Sequence, residues 1–134
     1  MADRLYTVAE ANGQLRYIIP ILEEAKRLMA EVRSRQQDLE RELEAFPTAN
    51  GHSMQHEMSA RLIREDLEVL ATRLQEQIQN AERYGCEVKD PETGLIDFRS
   101  LREGRVVYLC WRLGERDIGY WHELDAGFRG RQPL

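Results

Sequence analysis

The chain has 134 residues, 42% of them hydrophobic and 32% charged, which predicts one globular domain spanning residues 1–134. Its net charge of −5, from 19 basic and 24 acidic residues, disfavours a nucleic-acid-binding protein, which usually presents a basic face. The chain has two cysteines, no apolar run near the roughly 18 residues of a membrane span and no apolar secretory signal at its start, so we expect a cytoplasmic protein without a disulfide scaffold.

The first predicted element is a long helix that begins at a capping box. In Thr7-Val8-Ala9-Glu10, the threonine hydroxyl and the glutamate carboxylate can satisfy free backbone N–H groups of the first turn. Pro20 predicts a kink, and Pro47 predicts that the helix ends at Phe46. A heptad stripe typical of a coiled coil follows the cap. It consists of Leu15, Ile18, Leu22, Ala25, Met29, Val32, Leu39, Leu43 and Phe46.

A second helix is predicted from about Ser53 to Tyr84, with Gly85 as its stop. The connection over residues 47–53 is short, so the two helices should be antiparallel neighbours that form a hairpin over residues 7–84. The predicted contact stripe of the second helix is Ala60, Ile63, Leu67, Leu70, Leu74, Ile78 and Ala81.

The residues after Gly85 predict a small antiparallel β-meander over residues 85–125. Its strands are expected at Cys86–Lys89, Leu95–Phe98, Arg105–Leu113 and Ile118–Glu123, and the tail 126–134 is expected to be irregular. In the third strand, Val107, Leu109 and Trp111 share one face with Leu113, and Val106, Tyr108 and Cys110 share the other. The predicted fold class is therefore α+β, a long antiparallel helical hairpin followed by a small antiparallel sheet.

Several motifs resemble the prokaryotic domain-of-unknown-function family DUF2203. They are GLIDF at Gly94–Phe98, LCWRLGE at Leu109–Glu115, YWHELDAGFRGR at Tyr120–Arg131 and the opening YTVAEAN…IIP at Tyr6–Pro20. The resemblance covers nearly the whole chain. It implies a bacterial cytoplasmic setting, and it transfers no catalytic residue because the family carries no established activity.

The segment Tyr120–Arg131 holds the main candidate ligand site. The candidate residues are His122, Glu123, Asp125, Arg129 and Arg131. Arginine side chains at i and i+2 beside glycines could converge on a carboxylate or phosphate, and the histidine could tune binding near neutral pH. The alternative is a structural ion-pair network in which the aromatic residues of the segment belong to the core or to an interface.

Two smaller clusters hold residue types used in metal or thiol chemistry. His52 and His56 have the i, i+4 spacing of zinc ligands but lack a third ligand. Cys86 and Cys110 form no CxxC motif and are interpreted as buried structural cysteines. The sequence thus predicts neither a metal site nor a cofactor.

Apolar residues beside the helical stripes favour self-association. Ile19, Leu28, Leu62 and Val69 are expected to stay exposed in a monomer and to be covered by a second hairpin. The expected function is that of a homodimeric interaction or structural module. The alternative is a small enzyme or a protein that binds a small anionic ligand, and neither a nucleic acid nor a membrane is an expected partner.

Overall fold

The computed structural model describes residues 4–45 and 54–134. Two helices, α1 (Val8–Glu44) and α2 (Met54–Glu82), are followed by a sheet. Its strands are β1 (Glu87–Asp90), β2 (Leu95–Arg102), β3 (Arg105–Arg112), β4 (Tyr120–His122) and β5 (Gln132–Pro133). The α+β prediction is confirmed. Within the described part of the chain, neither helix contains a stretch apolar enough to cross a membrane.

The predicted capping box forms at the start of α1. The Thr7 amide donates to the Glu10 carboxylate at 2.9 Å, and the Glu10 amide donates to the Thr7 hydroxyl at 3.1 Å. The helix continues through Pro20 to Glu44. Its predicted end at Phe46, like the predicted start of the second helix at Ser53, lies outside the described residues.

The chain divides into two compact units. The sheet unit comprises Met1–Lys26 and Gln77–Leu134, and the hairpin unit comprises Arg27–Glu76. Both units contain part of each helix, so the division does not follow the boundary between helices and strands.

The five strands of the sheet unit are antiparallel and lie in the order β1-β2-β3-β4-β5. One face of the sheet packs on the first turns of α1 and the end of α2 and contains the predicted core residues Trp111 and Leu109. The remaining buried residues of this core include Tyr6, Leu15, Ile18, Leu22, Ile96, Phe98, Val107 and Trp121. The predicted facing of the third strand is thereby confirmed.

The end of the chain differs from the prediction. The tail was expected to be irregular, but Phe128–Gly130 forms a 3₁₀ turn and β5 pairs with β4. The fourth strand is shorter than predicted because Ile118 lies outside it, with its amide bound to the Asn12 side chain at 2.8 Å. The tail therefore completes the sheet.

In the hairpin unit, α1 and α2 are antiparallel neighbours, because Glu42 contacts His56 near one end and Glu31 and Arg73 line one groove near the other. The predicted stripe of α2 is confirmed by the burial of Ala60 and Leu70. The predicted stripe of α1 is confirmed in the sheet unit, where Leu15, Ile18, Leu22 and Ala25 are buried. In the hairpin unit it departs from the prediction, because Leu28 is buried in place of Met29 and Leu43 is 46% exposed.

Candidate functional site

Three polar side chains meet on the sheet face that points away from the helices. Asp97 of β2 lies directly opposite Cys110 of β3, and His122 of β4 lies opposite Tyr108, two residues along β3 from Cys110. Side chains at alternate positions of a strand share a face. Asp97, Cys110 and His122 therefore form one cluster, here named the buried trio.

The buried trio is almost completely shielded from solvent. Asp97 and His122 are each 2% exposed and Cys110 is 0% exposed. One ligand-type atom from each residue, a carboxyl oxygen, the sulfur and a ring nitrogen, lies within 4.8 Å of the other two. Buried polar groups normally require hydrogen-bond partners, and here the partners are largely one another.

The orientation of the His122 ring is fixed from both sides. Its Nδ1 lies 2.7 Å from the Glu123 carbonyl oxygen, which can only accept a hydrogen bond, so Nδ1 carries a hydrogen. Its Nε2 lies 3.0 and 3.1 Å from the two carboxyl oxygens of Asp97. A hydrogen bond therefore joins Nε2 to the Asp97 carboxyl group.

Burial dominates the electrostatics of the trio. It raises the pKa of the Asp97 carboxyl group, although contact with His122 opposes the shift. Burial and the negative charge of Asp97 raise the pKa of the Cys110 thiol to about 12. The thiol is therefore protonated near neutral pH, and Cys110 is not an activated nucleophile in this environment.

A charged cluster lies beside the trio on the same face. The Glu87 carboxylate accepts hydrogen bonds from Lys89 at 3.0 Å, Arg99 at 2.8 Å and the Tyr108 hydroxyl at 2.9 Å. Burial opposes ionisation of Glu87, but these three donors outweigh it and lower its pKa. The Tyr108 ring lies 5.4 Å from the His122 ring, centre to centre, and so connects the two groups.

The five residues predicted as a ligand site occupy different settings. His122 belongs to the buried trio, whereas Glu123 is paired with Arg105 at 2.6 Å. Arg131 is paired with Glu115 at 2.8 Å. Its guanidinium stacks on Tyr120 and Phe128, at 3.9 and 4.6 Å from the ring centres. The two remaining candidate residues, Asp125 and Arg129, are exposed.

Two members of the trio, Asp97 and Cys110, were not identified as site residues from the sequence. The available signal was Asp97 between the apolar Ile96 and Phe98, a carboxylate inside a strand. Its partners lie on two other strands, and the register between strands is not encoded in local spacing. Of the two histidines with zinc-like spacing, for which no metal site is predicted, His56 contacts Glu42 at 3.2 Å and His52 lies outside the described residues.

A second candidate region is an exposed apolar stripe on α2 in the hairpin unit, formed by Met58, Leu62 and Val69. Their exposed fractions are 58%, 56% and 51%. The intervals of four and seven residues place all three on one side of the helix. Four apolar residues beside the stripes were predicted to be exposed. That prediction is thus confirmed for Leu62 and Val69.

The prediction was wrong for the other two residues of that set. Leu28 is 1% exposed, and Ile19 is half-buried against the core of the sheet unit. The chain covers Leu28 fully and Ile19 in part, because α1 buries a wider sector than the predicted heptad stripe. Leu28 is therefore unavailable to a partner.

Two grooves lined by α1 and α2 adjoin the apolar stripe, each with a volume of about 440 Å³. Val69 lines one groove and Leu62 the other, and Arg35 and Asp66 line both. The walls carry both signs of charge, from Glu31, Asp38, Glu42, Arg41 and Arg73 in addition to the shared pair. The apolar stripe therefore borders on grooves that carry both signs of charge.

The fold and the site define an α+β protein with a long helical hairpin and a five-stranded antiparallel sheet. One face of this sheet carries a buried Asp–Cys–His cluster. The chain belongs to the family described as "Uncharacterized conserved protein (DUF2203)", whose model matches residues 4–134. Neither the curated proteins nor the solved structures include a match to this chain.

Proposed function

We propose that this protein is a homodimeric interaction module in which the apolar stripe of α2 packs against the hairpin unit of a second copy. The observation that carries the proposal is the exposure of Leu62 and Val69 at 56% and 51%, seven residues apart on one side of a helix. Burying such a side chain contributes about 1.5–3 kcal/mol. Two paired hairpins would form a four-helix bundle, a common architecture with two-fold symmetry.

The charges around the stripe favour a second copy over another kind of partner. In a two-fold interface the same patch occurs on both sides, so a patch that carries both signs can complement itself. Arg35 and Arg73 can face acidic groups such as Glu31 and Asp66 of the other copy. A polyanion such as a nucleic acid would meet these carboxylates as like charges.

We place the dimer in the cytoplasm. Both cysteines are buried free thiols, and a reducing compartment keeps thiols in that state.

Sedimentation equilibrium at micromolar concentration tests the dimer. We expect wild type at about twice the chain mass of 15.7 kDa, and Leu62→Glu/Val69→Glu at the chain mass, because glutamates at a buried apolar contact are costly. Leu101→Glu is the matched control, since Leu101 is 60% exposed on β2 of the sheet unit. A wild-type monomer with a full helical signal, or a double variant that remains dimeric, would contradict the proposal.

The second candidate function is binding of a small anion, or a small enzymatic site, at Tyr120–Arg131. The exposed Arg129 close in sequence to the stacked Arg131 favours it. It ranks second because Glu115 already neutralises Arg131. If this segment binds anions through Arg129, phosphate should raise the unfolding temperature of wild type but not that of Arg129→Ala. An equal response of the two proteins would rule out a role for Arg129.

A further inference from the structure

The trio combines three different ligand chemistries in one buried place. A carboxyl oxygen of Asp97, the sulfur of Cys110 and a ring nitrogen of His122 are within 4.8 Å of one another and face the same side of three adjacent strands. We infer that these three residues bind a divalent transition-metal ion, with zinc as the best chemical match. This inference does not depend on the helical dimer, because it concerns only the sheet unit.

The hydrogen bond of the histidine supports a ligand role. A metal-binding histidine usually donates its second ring N–H to a carbonyl or carboxylate, which fixes the ring and leaves the other nitrogen for the metal. His122 has this arrangement, with Nδ1 donating to the Glu123 carbonyl at 2.7 Å. Its Nε2 is directed at Asp97, the second proposed ligand, at 3.0 Å.

The donor set indicates which ion would bind. Calcium and magnesium require six or more ligands, mainly oxygen, whereas zinc accepts four ligands drawn from sulfur, nitrogen and oxygen. Asp97, Cys110 and His122 provide one of each. Three protein ligands leave one position of a tetrahedral zinc site for water or a small molecule.

The charge balance also favours a dication. A bound ion needs the Cys110 thiolate, the Asp97 carboxylate and a neutral His122 imidazole, so the thiol proton and the hydrogen between Nε2 and Asp97 are released to solvent on binding. The ligands then together carry two negative charges. A divalent ion neutralises both. This matters because the three residues are almost fully buried, and an uncompensated charge there is expensive.

Titration of the whole metal-free protein with Co²⁺ and with Zn²⁺ tests the inference. Cobalt bound to a thiolate gives an intense near-ultraviolet charge-transfer band, and tetrahedral cobalt gives a strong visible band. We expect both bands to saturate at one ion per chain and to be lost when zinc is added. A wild-type protein with no thiolate band, or without a saturating stoichiometry, would overturn the inference whatever the variants do.

Variants assign the ligands, and the second cysteine provides a matched control. Cys110→Ser and His122→Gln should weaken zinc binding by more than the roughly 10–100-fold typical of losing an outer-shell partner. Cys86→Ser should bind zinc like wild type, because Cys86 lies outside the trio and donates to the Ala81 carbonyl. Cys86 is a matched control because it, too, is a buried free thiol. Circular dichroism of each variant identifies any that fails to fold. If Cys110→Ser or His122→Gln fails to fold, Asp97→Asn is tested in its place, because asparagine keeps a side-chain oxygen at that position. Unchanged zinc affinity in folded Cys110→Ser, or equal loss in Cys86→Ser, would refute the assignment.

Discussion

The sheet unit and the hairpin unit differ in how much of their apolar surface the chain itself covers. The sheet unit has a continuous core in which Ile18, Phe98 and Trp111 are at most 1% exposed. In the described residues of the hairpin unit, only Leu28, Ala60 and Leu70 are buried. The hairpin unit meanwhile leaves the apolar stripe of α2 in contact with solvent.

This difference follows from geometry. Two neighbouring helices bury one stripe each against the other, whereas a sheet buries a whole face against several partners. Since buried apolar area supplies most of the stability of a fold, we expect the hairpin unit to gain more stability than the sheet unit if a second copy binds as proposed. The predictions below test this contrast.

Removing the largest fully buried side chain should have the largest effect. Trp111→Ala should lower the free energy of unfolding by roughly 3–5 kcal/mol, the usual range for a large-to-small change in a core. Chemical denaturation measures it. Leu101→Ala, at a 60% exposed position of the same sheet, should change stability by no more than about 0.5 kcal/mol. A loss below about 1 kcal/mol for Trp111→Ala would contradict the assigned core.

A pair of leucines on α1 compares the two units directly. Leu22 and Leu28 are each 1% exposed, but Leu22 belongs to the core of the sheet unit and Leu28 to the hairpin unit. Leucine-to-alanine changes cost about 2–5 kcal/mol, depending on how far the cavity can collapse. The loss of unfolding free energy should lie toward the upper end of this range for Leu22→Ala and toward the lower end for Leu28→Ala. Equal losses in urea denaturation would show that the units are equally well packed.

The smallest effect is expected at the capping box. The backbone hydrogen bond from Thr7 is the largest cause that lowers the pKa of Glu10 below its ordinary value of 4.5. A carboxyl group with a lowered pKa in the folded state stabilises the protein above its unfolded pKa, and this contribution is lost as the pH falls through the folded pKa. Glu10→Gln should therefore be less stable than wild type at pH 7. Melting temperatures that converge in strong acid would confirm this, and a constant gap would refute it.

The sequence predicted local features of the fold better than contacts between elements. The Thr7–Glu10 cap, the contact stripe of α2 and the facing of β3 depend on spacing within one element. The displacement from Met29 to Leu28 was not predictable in this way, because both residues are apolar and adjacent helical positions differ in direction by about 100°. Strand β5 was missed because two residues, one a proline, carry no alternation.

The candidate site shows the same limit. Burial of Cys110 was predicted from its position in an apolar strand, and His122 was singled out for its chemistry. Their meeting with Asp97 depends on the registers of two strand pairs, which are set by the folded sheet rather than by local spacing. The ion pairs Glu123–Arg105 and Arg131–Glu115 likewise join residues 18 and 16 positions apart in the chain.

The central claim is that the hairpin unit depends on a second copy, and amide hydrogen exchange tests it most directly. Wild type and Leu62→Glu/Val69→Glu are compared at the same concentration. In a monomer, both positions face solvent and the substitutions should leave amide protection unchanged. We predict faster exchange throughout the helical residues of the hairpin unit in the variant, with unchanged protection in β2 and β3. Identical protection of the hairpin unit in the two proteins would contradict the account.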